Sequence, residues 1–280
     1  MMCAWQEYLC LLPEWMRNDV DELGREMLQE LRLRINQVPE LIIQGRSFWL
    51  HREAVSDDLN FVINAASQYS PWSASTSSSG YITASGGHRV GLCGDAIIQN
   101  NTMKGIRNPT SLCLRVARDF PGIAARSNSY SGSILIIGRP GSGKTTLLRD
   151  LIRQRSDNGS GSVAVVDERG ELFPVSRQKN CFSVGKRTDI LTSCPKSTGI
   201  EILLRTMGST CIAVDEITHA KDCEAMLEAG WCGVSLLATA HAASLNDLRR
   251  RPVYRPLLSS GLFDAVFIMQ EDKSWKAERL

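Results

Sequence analysis

The chain has 280 residues, of which 43% are hydrophobic and 22% charged, and its net charge is +2. That length supports two domains with separate cores, and the near-neutral charge argues against bulk binding to nucleic acid or to an acidic membrane surface. No apolar stretch reaches the length of a membrane span, and the nine cysteines make no C-x-x-C pair or cluster with histidine, so they read as small apolar side chains of a reducing compartment rather than metal ligands.

The first twelve residues are apolar but carry Glu7 and no basic residue before Arg17, a poor match to a signal peptide. Trp5, Leu9, Leu12 and Trp15 instead suggest one face of an amphipathic helix, packed into a core or resting on a partner or membrane, with the core favoured. A helix is expected over 22–31, then strands over 31–35, 41–43 and 48–50. A second helix is expected over 57–69, with Leu59, Val62, Ile63 and Ala66 inward and Asp57 or Asp58 at its cap. Residues 73–80 read as a solvated loop, 81–98 as a hairpin and 112–116 as a further strand. These make a smaller N-terminal α+β domain over 1–121. Residues 122–132 are rich in Ser, Gly, Asn and Ala and read as a linker.

From residue 133 to 280 the pattern is α/β. Apolar runs at 134–137, 163–166, 211–214, 235–238 and 265–269 alternate with helical patterns at 144–155, 198–207, 220–231 and 244–250. Unbroken apolar runs mark strands buried on both faces of a parallel sheet.

The first of these strands leads directly into Gly138-Arg139-Pro140-Gly141-Ser142-Gly143-Lys144-Thr145, which fits G-x-x-x-x-G-K-[ST], with Thr146 next in the following helix. Glycines let successive N–H groups converge on a phosphate, and the helix turns its positive end toward the same anion. Lys144 is placed to reach the β- and γ-phosphates, and the Thr145 hydroxyl to ligate Mg²⁺. A chance match is expected in about one chain in a hundred of this length, and the strand-before, helix-after context makes it rarer.

Polar groups also follow the other strands: Asp167-Glu168, Asp215-Glu216, and Thr239-Ala240-His241. In a parallel sheet these ends share one edge, where open α/β folds bind ligands. Asp215 is the candidate Mg²⁺ partner beside Thr145. Glu216 and Glu168 are rival candidates to orient an attacking water, the second because its strand is a candidate neighbour of the phosphate-loop strand. His241 is a candidate sensor of the γ-phosphate. Taken singly, each acidic pair is better explained as a helix cap or solvated strand end; four strand ends together favour a site. Arg89, Arg115, Arg118, Arg169, Arg187 and Arg205 are candidates for the positive charge that phosphoryl transfer needs, with nothing to separate them.

The succession of Gly138–Thr145, Val166–Glu171, Val214–Ile217 and Gly233–His241 resembles the Walker A, Asp box, Walker B and His box of type II/IV secretion ATPases. Finer matches at 80–83, 86–91, 105–107, 114–118, 184–189, 194–196, 251–258 and 261–264 resemble the stage III sporulation AA family of endospore formers within that group. The resemblance implies a RecA-like (ASCE) P-loop ATPase domain behind an N-terminal domain, using ATP and Mg²⁺ as a homo-oligomer, a hexamer. It further implies integral membrane partners in a channel complex, and a cytoplasmic position, peripheral to the mother-cell membrane facing the forespore. Secretion ATPases usually have Gly where this chain has Asp215, which leaves the division of Mg²⁺ and water duties open. A nucleic-acid-dependent ATPase is the alternative, opposed by the near-neutral charge and the lack of an aromatic–basic tract; a nucleotide-gated scaffold with little turnover is a third.

Overall fold

A computed structural model describes residues 2–68, 80–159, 161–176 and 179–280; most of the expected loop at 73–80 lies outside them. The chain forms two compact units, Met1–Asp119 with Pro174–Cys181, and Phe120–Phe173 with Phe182–Leu280.

The first unit opens with two helices, α1 (Trp5–Cys10) and α2 (Glu14–Gly24). One amphipathic helix was expected across this stretch; Pro13 separates the two because it has no N–H to continue α1, while its fixed φ suits the position before α2. Trp5, Leu9 and Leu12 are buried in the core as expected. The helix expected over 22–31 is not there: α2 ends at Gly24 and a strand, β1 (Leu28–Arg34), begins four residues later. Glu, Leu, Met, Gln and Arg are good helix formers, but Leu28, Leu31 and Leu33 bury completely when β1 pairs with neighbours on both sides. Pairing overrides propensity.

Next come β2 (Glu40–Ile43), β3 (Arg46–Trp49) and α3 (Ser56–Ala66). Asp58 starts α3 by accepting the Val55 N–H at 2.9 Å. The strands β4 (Tyr81–Thr83), β5 (Arg89–Gln99) and β6 (Thr102–Arg115) complete an antiparallel sheet in the order β3-β2-β1-β6-β5-β4. The short strand expected at 112–116 is the end of the much longer β6. It forms a ribbon with β5 whose turn, Asn100-Asn101, has positive φ at both residues, as a two-residue hairpin requires.

The second unit begins with 120–132, which is tied down: the Gly122 and Ala124 N–H groups donate to Asp150 at 3.0 and 2.7 Å. It contains β7 (Ile134–Gly138), α4 (Lys144–Asn158), β8 (Val163–Asp167), β11 (Thr188–Thr192), α5 (Lys196–Thr206), β12 (Cys211–Val214), α6 (Ala220–Trp231), β13 (Ser235–His241), α7 (Leu245–Arg250), α8 (Arg255–Ser259), β14 (Ala265–Met269) and β15 (Trp275–Arg279). The short β9 (Val175–Ser176) and β10 (Lys179–Asn180) belong to the first unit.

The sheet order is β11-β8-β12-β13-β7-β14-β15, parallel except for β15. Every residue of β7 and β8 is buried, which is why these strands read as unbroken apolar runs. Burying each Ile or Val there contributes about 1.5–3 kcal/mol. The order corrects one expectation: β12 and β13 separate the Glu168 strand from the phosphate-loop strand. Cys211 and Cys223 are buried among this core, but Cys10, Cys93 and Cys232 are exposed, so the expected apolar role holds for only part of the set.

Candidate functional site

Strand β7 delivers the chain to the loop at Gly138, where a Cβ would lie 2.5 Å from Ser142 Oγ and 2.8 Å from Met269 Cβ. Only glycine allows that approach. Gly143 stands at the helix N-cap with φ +99°, a conformation that costs other residues about 1–2 kcal/mol. The result is a turn whose end is the N-terminus of α4, where the first N–H groups of a helix have no intrahelical partner. Arg139, Pro140 and Gly141 are exposed at its rim, Thr146 is half-buried in the first helical turn, and the Ser142 hydroxyl is buried without a partner.

Lys144 is buried, and its ammonium donates to the Arg139 carbonyl oxygen at 3.0 Å and meets His241 Nδ1 at 3.1 Å. Among the described residues it makes no ion pair with a carboxylate. Burial lowers its pKa, partly offset by the more distant Asp215 and Glu216. A desolvated cation whose direct contacts are a carbonyl and an imidazole, beside an orphan hydroxyl and a helix N-terminus, suits an anion.

An ammonium has no lone pair, so His241 Nδ1 must accept from Lys144, and the proton of the neutral ring then sits on Nε2. That nitrogen lies 3.0 Å from Glu216 Oε1. The other Glu216 oxygen meets Arg169 at 3.2 Å. Lys144, His241, Glu216 and Arg169 therefore form one chain of contacts. Among the arginine candidates of this unit, Arg187 is occupied by carbonyls such as Ser156 O at 2.9 Å, and Arg205 pairs with Glu201 at 3.7 Å along its own helix; Arg169 is the one in this chain.

Asp215, at the end of β12, accepts the Thr145 hydroxyl at 2.8 Å and the Thr239 hydroxyl at 2.5 Å. Burial pushes its carboxyl pKa up, and the two hydroxyls partly oppose this. Thr145 and Asp215 thus face each other at one point beside the loop, a hydroxyl and a carboxylate suited to a hard divalent cation.

Glu168 sits apart from this chain. Its carboxylate is bound by the ammonium of Lys196, a buried residue at the first turn of α5. Asp167 is buried and accepts the N–H groups of Glu171 and Phe173, both at 2.9 Å, so it shapes the turn after β8. Sequence reasoning assigned no role to Lys196 or Thr239, although both stand in stretches it singled out. Thr239 carried a signal, a hydroxyl in the polar strand end Thr239-Ala240-His241; the pairing of Lys196 with Glu168, 28 positions away, had no local signature.

A family model described as "Sporulation stage III, protein AA" matches residues 10–277. The chain is 37% identical over 277 residues to the stage III sporulation protein AA of Bacillus subtilis, covering 94% of this chain and 90% of that one. Among solved structures it is similar to the ATPase DotB of Legionella pneumophila, with a TM-score of 0.62 and 17% identity, over 94% of this chain and 78% of that one. It is also similar to the pilus retraction motor PilT with bound ADP, with a TM-score of 0.61 and 14% identity, over 90% of this chain and 76% of that one. These likenesses show a RecA-like fold of the secretion ATPases.

Proposed function

The chain belongs to the sporulation stage III, protein AA family, and from that premise we propose that it binds and hydrolyses ATP as the motor of a secretion-like channel complex between mother cell and forespore. The observation that carries this reading is Lys144, a buried cation with no carboxylate ion pair among the described residues, held at the mouth of a loop that ends in a helix N-terminus. Residues Gly138 to Thr146 would hold the phosphates, with Lys144 leaving His241 and the Arg139 carbonyl for the β- and γ-phosphate oxygens. Thr145 and Asp215 would hold Mg²⁺. Bound with ATP, that ion neutralises charge that develops on the phosphate oxygens.

Glu216 is the residue we assign to orienting the attacking water. Its contact with His241 joins it to Lys144, whereas Glu168 is engaged by Lys196. Water adds to the γ-phosphorus as the bond to the bridging oxygen breaks, Glu216 takes up the water's proton, and ADP leaves. His241, between Lys144 and Glu216, is placed to report whether Lys144 has moved to a γ-phosphate. We propose the N-terminal domain as 1–121, joined through 122–132 to the ATPase domain at 133–280; a compact unit beginning at Phe120 supports a boundary in this region. The assembly proposed is a hexamer, peripheral to the mother-cell membrane on its cytoplasmic side and acting on integral membrane components. Among the described residues no helix is long and apolar enough to cross a membrane.

The test is ATP turnover and ATP binding of the purified chain beside three variants. Lys144→Ala is expected to lose binding, and Glu216→Ala to bind ATP and retain it with turnover reduced by about 10²–10³. Normal hydrolysis by Glu216→Ala, with none by Glu168→Ala, would reverse the assignment of the two glutamates. Turnover indifferent to Lys144→Ala would end the ATPase reading.

A further inference from the structure

Thr239 is fully buried on β13, the strand between the phosphate-loop strand and the Asp215 strand. Its hydroxyl serves two neighbours. It donates to Asp215 Oδ1 at 2.5 Å and accepts the Glu216 backbone N–H at 2.8 Å. An ionised carboxylate only accepts, so the one hydroxyl proton goes to Asp215 and a lone pair remains for the amide. Both bonds are satisfied together in one orientation of the hydroxyl.

Regular pairing of β12 with β13 ends at Val214 and Ala238. Beyond it the chain bends through Glu216, whose φ of +51° lies in the left-handed region. Side chains rarely adopt that conformation, and it persists where the surroundings over-determine it. Thr239 supplies that determination twice over. Its side chain takes the Glu216 N–H, and its carbonyl oxygen takes the Ile217 N–H at 2.9 Å. The bend so fixed presents the Glu216 carboxylate to His241.

We propose that Thr239 is a positioning residue that sets, through one hydroxyl, both the orientation of Asp215 toward Mg²⁺ and the backbone bend that presents Glu216 to water. The proposal rests on the ATPase reading given above. It makes the metal-facing and water-facing groups a single mechanical unit, hinged on one buried hydroxyl of β13.

Thr239→Val keeps the branched shape and the burial and removes only the hydroxyl; Thr239→Ser keeps the hydroxyl and removes a methyl. Three quantities are to be measured on the full chain: kcat for ATP, affinity for a fluorescent ATP analogue in EDTA and in excess Mg²⁺, and hydrogen exchange of the Glu216 and Ile217 amides without nucleotide. In Thr239→Val, kcat is expected to fall about 10–100-fold, and the gain in nucleotide affinity conferred by Mg²⁺ to shrink about tenfold. Affinity in EDTA stays close to that of the unmutated chain, and the Glu216 amide exchanges faster. Thr239→Ser restores most of each. An unchanged Mg²⁺-dependent gain together with unchanged amide exchange in Thr239→Val would overturn the proposal. So would a loss of EDTA binding as large as that of Lys144→Ala, since that marks a general structural role. If the unmutated chain shows no Lys144-dependent turnover, the hydrolysis reading fails, while the Mg²⁺-dependent binding and the amide exchange still judge Thr239.

Discussion

His88 and His241 both accept at Nδ1 and donate from Nε2, but they do different work. His241 joins the Lys144 ammonium to the Glu216 carboxylate. His88 is buried in the first unit, where Nδ1 accepts the Ala117 N–H at 3.1 Å and Nε2 donates to the Ala4 carbonyl oxygen at 2.9 Å. Its ring also meets Tyr8 edge-on at 5.0 Å. It therefore ties the N-terminal segment to the end of the sheet, and the Gly86–Gly91 motif around it is structural at this residue. Desolvation lowers its pKa from 6.5 to about 4. The unfolded chain thus takes up this proton more readily than the folded one. Stability from His88 is complete above pH 6.5 and is lost as pH falls from 6.5 through 4, by about 3 kcal/mol in all. Urea unfolding at pH 7 and pH 4 should show that extra loss in the unmutated chain and not in His88→Gln, after the pH 7 difference between the two is subtracted. Equal losses in both would place the acid sensitivity elsewhere.

At the scale of elements, helix α4 shows why charge is a poor guide to exposure. Arg149, Asp150 and Arg153 are all buried on it. Arg149 donates to the Leu172 and Glu171 carbonyl oxygens and lies over the Phe182 ring at 4.3 Å. Asp150 receives the Gly122 and Ala124 N–H groups and the Arg153 guanidinium at 2.9 Å. The helix thus holds two flanking segments by satisfying their backbone groups, and 120–125 packs as part of the unit. Asp150→Ala removes the acceptor of the buried Arg153 guanidinium and Ala124 amide, and of the Gly122 amide nearer the surface. A loss of about 3–5 kcal/mol is expected from the chemical unfolding midpoint; a loss under about 1 kcal/mol would mean that water replaces the carboxylate freely. The same physics decides which elements were legible in the sequence. β7, β8, β12, β13 and β14 were visible because both faces are buried, leaving unbroken apolar runs. β11 and β15 lie at the sheet edges, with mixed burial and ordinary polar sequence, and had no such pattern. The helix expected over 22–31 failed because long-range pairing partners, β2 and β6, are invisible to local propensity.

At the scale of the whole molecule, the candidate site was legible as a set of strand ends, because a parallel sheet carries all its C-terminal ends to one edge. What the sequence did not contain was their order. The strand bearing Thr239 and His241 lies between the phosphate-loop strand and the Asp215 strand, so residues about a hundred positions apart meet there, and Glu168 falls on the far side. Order also governs the proposed assembly. If nucleotide sites in a homo-oligomer close against a neighbouring copy, one inactive subunit disturbs a site besides its own, so activity depends on the composition of the ring. Mixing the unmutated chain with Lys144→Ala before assembly tests this at constant total protein. Turnover is expected to fall more steeply than the fraction of unmutated chain, while total ATP bound falls in proportion to it. Light scattering in ATP must give the same mass for every mixture, so that the loss reflects coupling between subunits. A strictly proportional loss of turnover would mean that each copy hydrolyses alone, and the chain would then be a RecA-like ATPase whose association serves something other than catalysis.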